Sequence, residues 1–221
     1  MECFLQRSSP TEAFEFEQVI GKGSFAKVYR ARCRADNRIV AFKVIVLDNH
    51  CEEEGLTVEL QRELVSLRDC QHPNIVQYEG AYLAAGRLWV AMEYCMCSLH
   101  GVLSSGKRPL SEEQIAAVMA RALCGLNYLH TEQRLIHRDV KAGNILLTLR
   151  GEVKLADFGV SAQLGGTLSK RNTVIGTPMW MSPEMIEVRH DYTTGVHTKP
   201  HNHTYVSNAL HARLQCTHAP F

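Results

Sequence analysis

No stretch of this chain stays apolar long enough to cross a bilayer as a helix. The opening Met1-Glu2-Cys3-Phe4-Leu5-Gln6-Arg7 lacks the apolar core of a secretory leader. Charge of one sign is also lacking: 24 basic side chains stand against 23 acidic ones, a net of +1. That balance does not suggest the basic surface of a nucleic-acid binder. There is no internal repeat. The 8 cysteines (Cys3, Cys33, Cys51, Cys70, Cys95, Cys97, Cys124 and Cys216) form no pair of Cys-x-x-Cys motifs and read as reduced thiols of a cytoplasmic protein. What is present is 221 residues with 45% hydrophobic content, enough for one or two compact units.

The most informative stretch is His137-Arg138-Asp139, followed by Lys141 and Asn144 and then by Asp157-Phe158-Gly159. Between Asn144 and Asp157, Ile145-Leu146-Leu147-Thr148 and Val153-Lys154-Leu155-Ala156 flank the polar turn Leu149-Arg150-Gly151-Glu152, the pattern of two short strands and a tight turn. A hairpin brings its open ends together, with opposed residues about 5 Å apart, so Asn144 and Asp157 are expected side by side. An amide oxygen and a carboxylate facing one point suit a magnesium ion bridging phosphates, and Asp139 can reach the same space. Upstream, Gly21-Lys22-Gly23-Ser24-Phe25-Ala26-Lys27-Val28 lies between the runs 16–20 and 29–32, hence between two strands. Glycines there let backbone amides approach phosphate oxygens. Val40-Ala41-Phe42-Lys43 opens an apolar strand that continues to Leu47, and a lysine inside such a run is costly unless paired. Residues 58–67 have helical spacing, with Leu60, Leu64 and Leu67 on one face and Glu59 and Glu63 one turn apart. Runs 76–83 and 88–92 read as the next strand pair. Residues 111–130 read as a strong helix opening on a Ser111/Gln114 capping box.

These motifs, in this order, resemble protein kinases, and the longer runs 137–147, 157–164 and 170–184 resemble the sterile-20-like group, its Hippo and germinal-centre branch above all. The resemblance covers about residues 14–188. It implies a two-lobed α+β fold: an N-terminal extension over 1–13, an N-lobe antiparallel sheet with one helix over 14–94, and a partial helical C-lobe over 95–188. It implies ATP-dependent phosphorylation of protein serine or threonine in a signalling cascade, with ATP and Mg2+ as cofactors. Asp139 would be the catalytic base, Lys141 would steady the phosphoryl group, and Lys43, braced by Glu63, would hold the α- and β-phosphates. Asn144 and Asp157 would hold magnesium. Nucleotide contacts would come from Ile20, Gly21, Gly23 and Ser24, from Val28, Ala41 and Leu146 around the adenine, from Met92 behind it, and from the hinge Glu93-Tyr94-Cys95. Leu67 would join an internal apolar stack. Lys141, two residues after Asp139, and Thr177 in Gly176-Thr177-Pro178 match the serine/threonine pattern. Thr173 matches the position phosphorylated in the family, by an upstream kinase or by the enzyme itself, with Arg138 as the phosphate's partner. Ala26 stands where the pattern has its third glycine; alanine does not tolerate positive φ, which implies weaker nucleotide binding.

The pattern stops near residues 184–188. No Asp-x-Trp follows, although in the family that aspartate holds the His-Arg-Asp loop, and the domain looks short by about 70 residues. Residues 189–221 hold 6 of the 11 histidines and no sustained apolar period. A changed reading frame, retained intron or truncated gene, a natural short form with a disordered tail, and a metal site from His197, His201 and His203 with Cys216 or His218 are the readings open for it. The last has no strong zinc spacing. The apolar positions Ile115, Val118, Met119, Ala122, Leu126 and Leu129 of the 111–130 helix outnumber what one surface helix needs; without the following helix that face would lie open and the catalytic loop would lack its anchor. The alternative function is therefore an inactive kinase fragment that binds nucleotide or a partner, and a further one is a reading frame that encodes no stable protein.

Overall fold

Strands rich in β-branched and aromatic residues assemble a six-stranded sheet in the order β1-β5-β6-β4-β3-β2. They are β1 (Leu5–Gln6), β2 (Phe14–Lys22), β3 (Ala26–Cys33), β4 (Ile39–Val46), β5 (Tyr78–Ala84) and β6 (Arg87–Glu93). The computed structural model describes residues 5–6, 8–23, 26–47, 56–106, 109–137 and 139–157, apart from the side chains of residues 59, 62 and 63. Neighbouring strands run antiparallel except β1, which lies parallel to β5.

Central β4 uses its period of two to serve both faces. Val40, Phe42 and Val44 enter a cluster with Phe14, Ala31 and Tyr82, where the Phe14 and Phe42 rings meet edge-on at 4.9 Å. Ile45 turns the other way, joining Ala81, Leu88 and Val90 beneath helix α1 (Val58–Asp69). The expected face of that helix is the observed one: Leu60 and Leu64 are buried, and Leu67 touches the cores of both lobes. Thr57 caps α1 by accepting from the Leu60 N–H at 3.3 Å.

The second lobe contains β7 (Cys97–Ser98), α2 (Leu99–Ser104), α3 (Glu112–Thr131), a 3-10 turn (Ala142–Asn144), β8 (Ile145–Leu147) and β9 (Val153–Leu155), the strands ordered β7-β8-β9. The Ser111/Gln114 capping box forms in both directions. α3 buries Ala122, Gly125, Tyr128 and Leu129, whose partners include Ile75, Ile145 and Leu155, while Ile115 and Met119 are exposed. Gly125 sits where nothing larger fits, since a Cβ there would stand 2.7 Å from the Asn74 carbonyl oxygen. The two lobes are stitched through the segment before β5. The Leu155 N–H donates to the Asn74 carbonyl and the Val76 N–H to the Leu155 carbonyl, each at 2.9 Å. The Asn74 side-chain amide donates to the Val153 carbonyl at 2.9 Å.

The expected two-lobed α+β architecture is thus present, with a sheet strand, β1, that the sequence pattern does not announce. The described residues of both lobes lie within one compact unit, Met1–Trp180. Ser24, Arg138, Phe158, Gly159, Thr173, Thr177 and the histidine-rich tail lie outside the described residues, as does the side chain of Glu63.

Candidate active site

Strand register places the nucleotide-facing candidates in one row. Gly21 pairs with Val28, Val28 with Lys43 and Lys43 with Val90, so these residues share a face. Ala41 lies on the same face and pairs with Met92. The loop between β2 and β3 closes through the Gly23 N–H, which donates to the Ala26 carbonyl at 2.8 Å. Ile20 is exposed beside it. A Cβ on Gly21 would stand 3.3 Å from Val28 Cβ, tighter than ordinary contact. The expectation for Ala26 needs correcting. This residue lies in β3, and the residues of positive φ do not include it. Its methyl therefore strains nothing, and the reason for weakened nucleotide binding falls away.

Buried Lys43 is paired. Its Nζ donates to Asp157 Oδ1 at 2.6 Å, which meets the desolvation cost of an ammonium inside an apolar strand. Asp157 has a left-handed backbone, φ 61°, a conformation aspartate accepts more readily than most residues. Beside this pair lies a cavity of about 20 Å³, lined by Leu67, Val76, Tyr78, Val90, Met92 and Ala156 with Lys43 and Asp157. Burial there pushes the Tyr78 phenol up to about 12, so it stays neutral.

The second constellation surrounds Asp139. Its Oδ2 accepts from Lys141 Nζ at 2.6 Å and from Asn144 Nδ2 at 3.0 Å. The Asn144 amide also donates to the Asp139 carbonyl at 2.8 Å. Preceding it, His137 Nδ1 accepts from the Asp139 N–H at 3.4 Å, and burial of the ring holds the imidazole below its ordinary pKa. The hairpin has the expected register, Ile145 opposite Leu155 and Leu147 opposite Val153, and turns at Gly151, φ 80°. The Ala156 N–H donates to the Asn144 carbonyl at 2.9 Å, which sets Asp157 next to Asn144 along the backbone.

Among the described residues, no three His, Cys, Asp or Glu side chains gather to hold a metal ion. Magnesium nevertheless fits, because it takes one or two protein oxygens and completes its shell with phosphate and water. With Nδ2 of Asn144 donating to Asp139, Oδ1 is the atom that can ligate a cation, alongside the Asp157 carboxylate.

Leu146 packs with Val76, Met92, Cys95 and Ala156. Burial pushes the Cys95 thiol up to about 12, leaving it protonated. At the hinge, Glu93 Oε1 accepts from the Gln77 N–H at 2.7 Å and from Lys154 Nζ at 3.0 Å. Sequence reasoning missed Gln77 and Lys154; neither carries a motif, and their meeting depends on strand register.

The family model for the protein kinase domain matches residues 14–198. The chain belongs to the protein kinase family. Its kinase match runs ten residues past the 188 expected from motifs. Among similar proteins, serine/threonine-protein kinase dst1 of Dictyostelium discoideum is 48% identical over 178 residues, 80% of this chain and 24% of its own length. Mitogen-activated protein kinase kinase kinase kinase 3 of Homo sapiens is 47% identical over 184 residues, 83% of this chain and 20% of its own. Serine/threonine-protein kinase cst-1 of Caenorhabditis elegans is 42% identical over 179 residues, 80% of this chain and 35% of its own. The relatives are sterile-20-like kinases, as the motifs imply. The chain spans between 20% and 35% of the length of these three. Protein kinases use ATP and magnesium. No helix among the described residues is long and apolar enough to cross a membrane.

Proposed function

We propose that this kinase phosphorylates serine and threonine hydroxyls of proteins in a cytoplasmic signalling cascade. The observation that carries the reading is the pair of bonded arrays at the lobe junction, Lys43 with Asp157 and Asp139 with Lys141 and Asn144. Asp139 orients the substrate hydroxyl and takes its proton as the oxygen bonds to the γ-phosphorus and the bond to ADP breaks. Lys141 offsets charge on the moving group, and Lys43, with Glu63 as its brace, positions the α- and β-phosphates. Asn144 and Asp157 hold the magnesium, whose contribution when bound is charge neutralisation on the phosphates. The glycine strand pair covers the triphosphate through Gly21, Gly23 and Ser24. Ile20, Val28, Ala41 and Leu146 enclose the adenine, Met92 lies behind it, and Glu93 and Cys95 bond its edge.

Phosphorylation of Thr173, by another kinase or in cis, then orders the loop through Arg138, and Thr177 closes the substrate side. Residues 14–94 and 95–188 are the two lobes in this reading, with 1–13 as an extension and 189–221 as a tail of which only 189–198 still falls within the kinase match. The test is Asp139→Asn with a generic basic protein as acceptor. Transfer should fall by roughly 10³-fold while ATP still binds, the size expected for loss of a general base; unchanged turnover would refute the assignment.

A further inference from the structure

We propose that Lys154 is a positioning residue for recognition of the adenine base, an inference that rests on the kinase reading above. Lys154 lies in β9, directly opposite Leu146 across the hairpin, so its stem shares a face with the candidate floor of the base pocket. Its Nζ reaches 3.0 Å from Glu93 Oε1, and both side chains are largely buried, 12% and 22% exposed. The same carboxylate oxygen accepts from the Gln77 N–H at 2.7 Å, while the Glu93 N–H donates back to the Gln77 carbonyl at 2.9 Å. Glu93 is therefore held from two sides, by the strand that starts at residue 78 and by the C-lobe hairpin. The hairpin in turn is fixed to residues 74 and 76 by the Leu155 backbone bonds.

The consequence is that the first hinge residue cannot shift without breaking a charge-assisted bond in a partly dehydrated site. Hinge backbone groups read the base edge, so their placement decides how well adenine is held, whereas the triphosphate is held elsewhere, by Lys43 and Asp157. Lys154 thus couples the hairpin that ends in Asp157 to the strand end that ends in the hinge. The phosphate-binding and base-binding halves of the cleft are set by one hairpin.

The experiment compares magnesium-ATP with magnesium tripolyphosphate, which lacks the base, as ligands of the full chain and of Lys154→Met, Lys154→Arg and Glu93→Gln. For Lys154→Met, ATP affinity should fall by about tenfold, the worth of one hydrogen bond to a charged group, while tripolyphosphate affinity stays unchanged. Lys154→Arg should restore most of the loss. Glu93→Gln should weaken ATP alone in the same way, and combining it with Lys154→Met should add little, as for two residues of one contact. Equal losses for ATP and tripolyphosphate, or unchanged ATP affinity in Lys154→Met, would overturn the role of Lys154 and leave the kinase reading standing. Failure of the unaltered chain to bind either ligand would overturn both. If Lys154→Met does not fold, the Glu93→Gln and Lys154→Arg pair decides the question by the same comparison.

Discussion

Burial of His137 makes this one side chain a source of pH dependence in the stability of the lobe. Its burial lowers the folded-state pKa below the ordinary value near 6.5, with bonds from the backbone and the charges of Asp139 and Asp157 acting the other way. In the unfolded chain the imidazole titrates normally. The neutral ring's contribution to stability is therefore complete above about pH 6.5 and is lost as pH falls from there toward the depressed folded value. Urea midpoints measured at steps between pH 7.5 and 5.5 should decline, and a His137→Phe variant should decline less across the same window; parallel declines would remove His137 from the account. At this scale the sequence is partly legible. A lysine inside an apolar strand announces that Lys43 needs a counter-charge, but its partnership with Asp157, 114 residues away, follows only from folding. The expectation for Ala26 fails because a sequence displays residue type and not φ.

Elements are legible where a pattern is long enough to show a period. α1 and α3 span several turns and the strands from β2 to β6 hold 7 to 9 residues each, and the face expected for α1 is the one observed. β1 and β7 hold two residues each and α2 six, too few to display any periodicity. Gly125 shows the limit in another form. In a helical pattern a glycine reads as a weakness of about 1 kcal/mol relative to alanine, yet here it permits the helix to lie against the Asn74 carbonyl and Leu155. Gly125→Ala should therefore destabilise the protein, by about 1–3 kcal/mol from overpacking, read as a lowered urea midpoint at an unchanged m-value. A stabilised variant would mean that α3 can move away from β9 and that this contact does not fix the lobe junction.

In the whole molecule, one hairpin and one sheet face converge on a single cleft. The sheet contributes Gly21, Val28, Ala41 and Lys43 from three adjacent strands, and the hairpin presents Asn144 at one end and Asp157 at the other. The motifs mark Asn144 and Asp157 as neighbours, because they flank a hairpin whose pairing can be inferred. They do not reveal the ties that hold the two lobes in register, since Asn74, Gln77 and Lys154 act through backbone bonds and a charge pair that any polar surface residue could have resembled. The most direct measurement of the central claim is calorimetric titration of the folded chain with ATP, with and without magnesium, beside Lys43→Met and Asp157→Asn. One-to-one binding that magnesium strengthens and both substitutions weaken by about tenfold or more is the predicted result. Binding that ignores magnesium and both substitutions, or no binding at all, would contradict a cleft built around the nucleotide's phosphates.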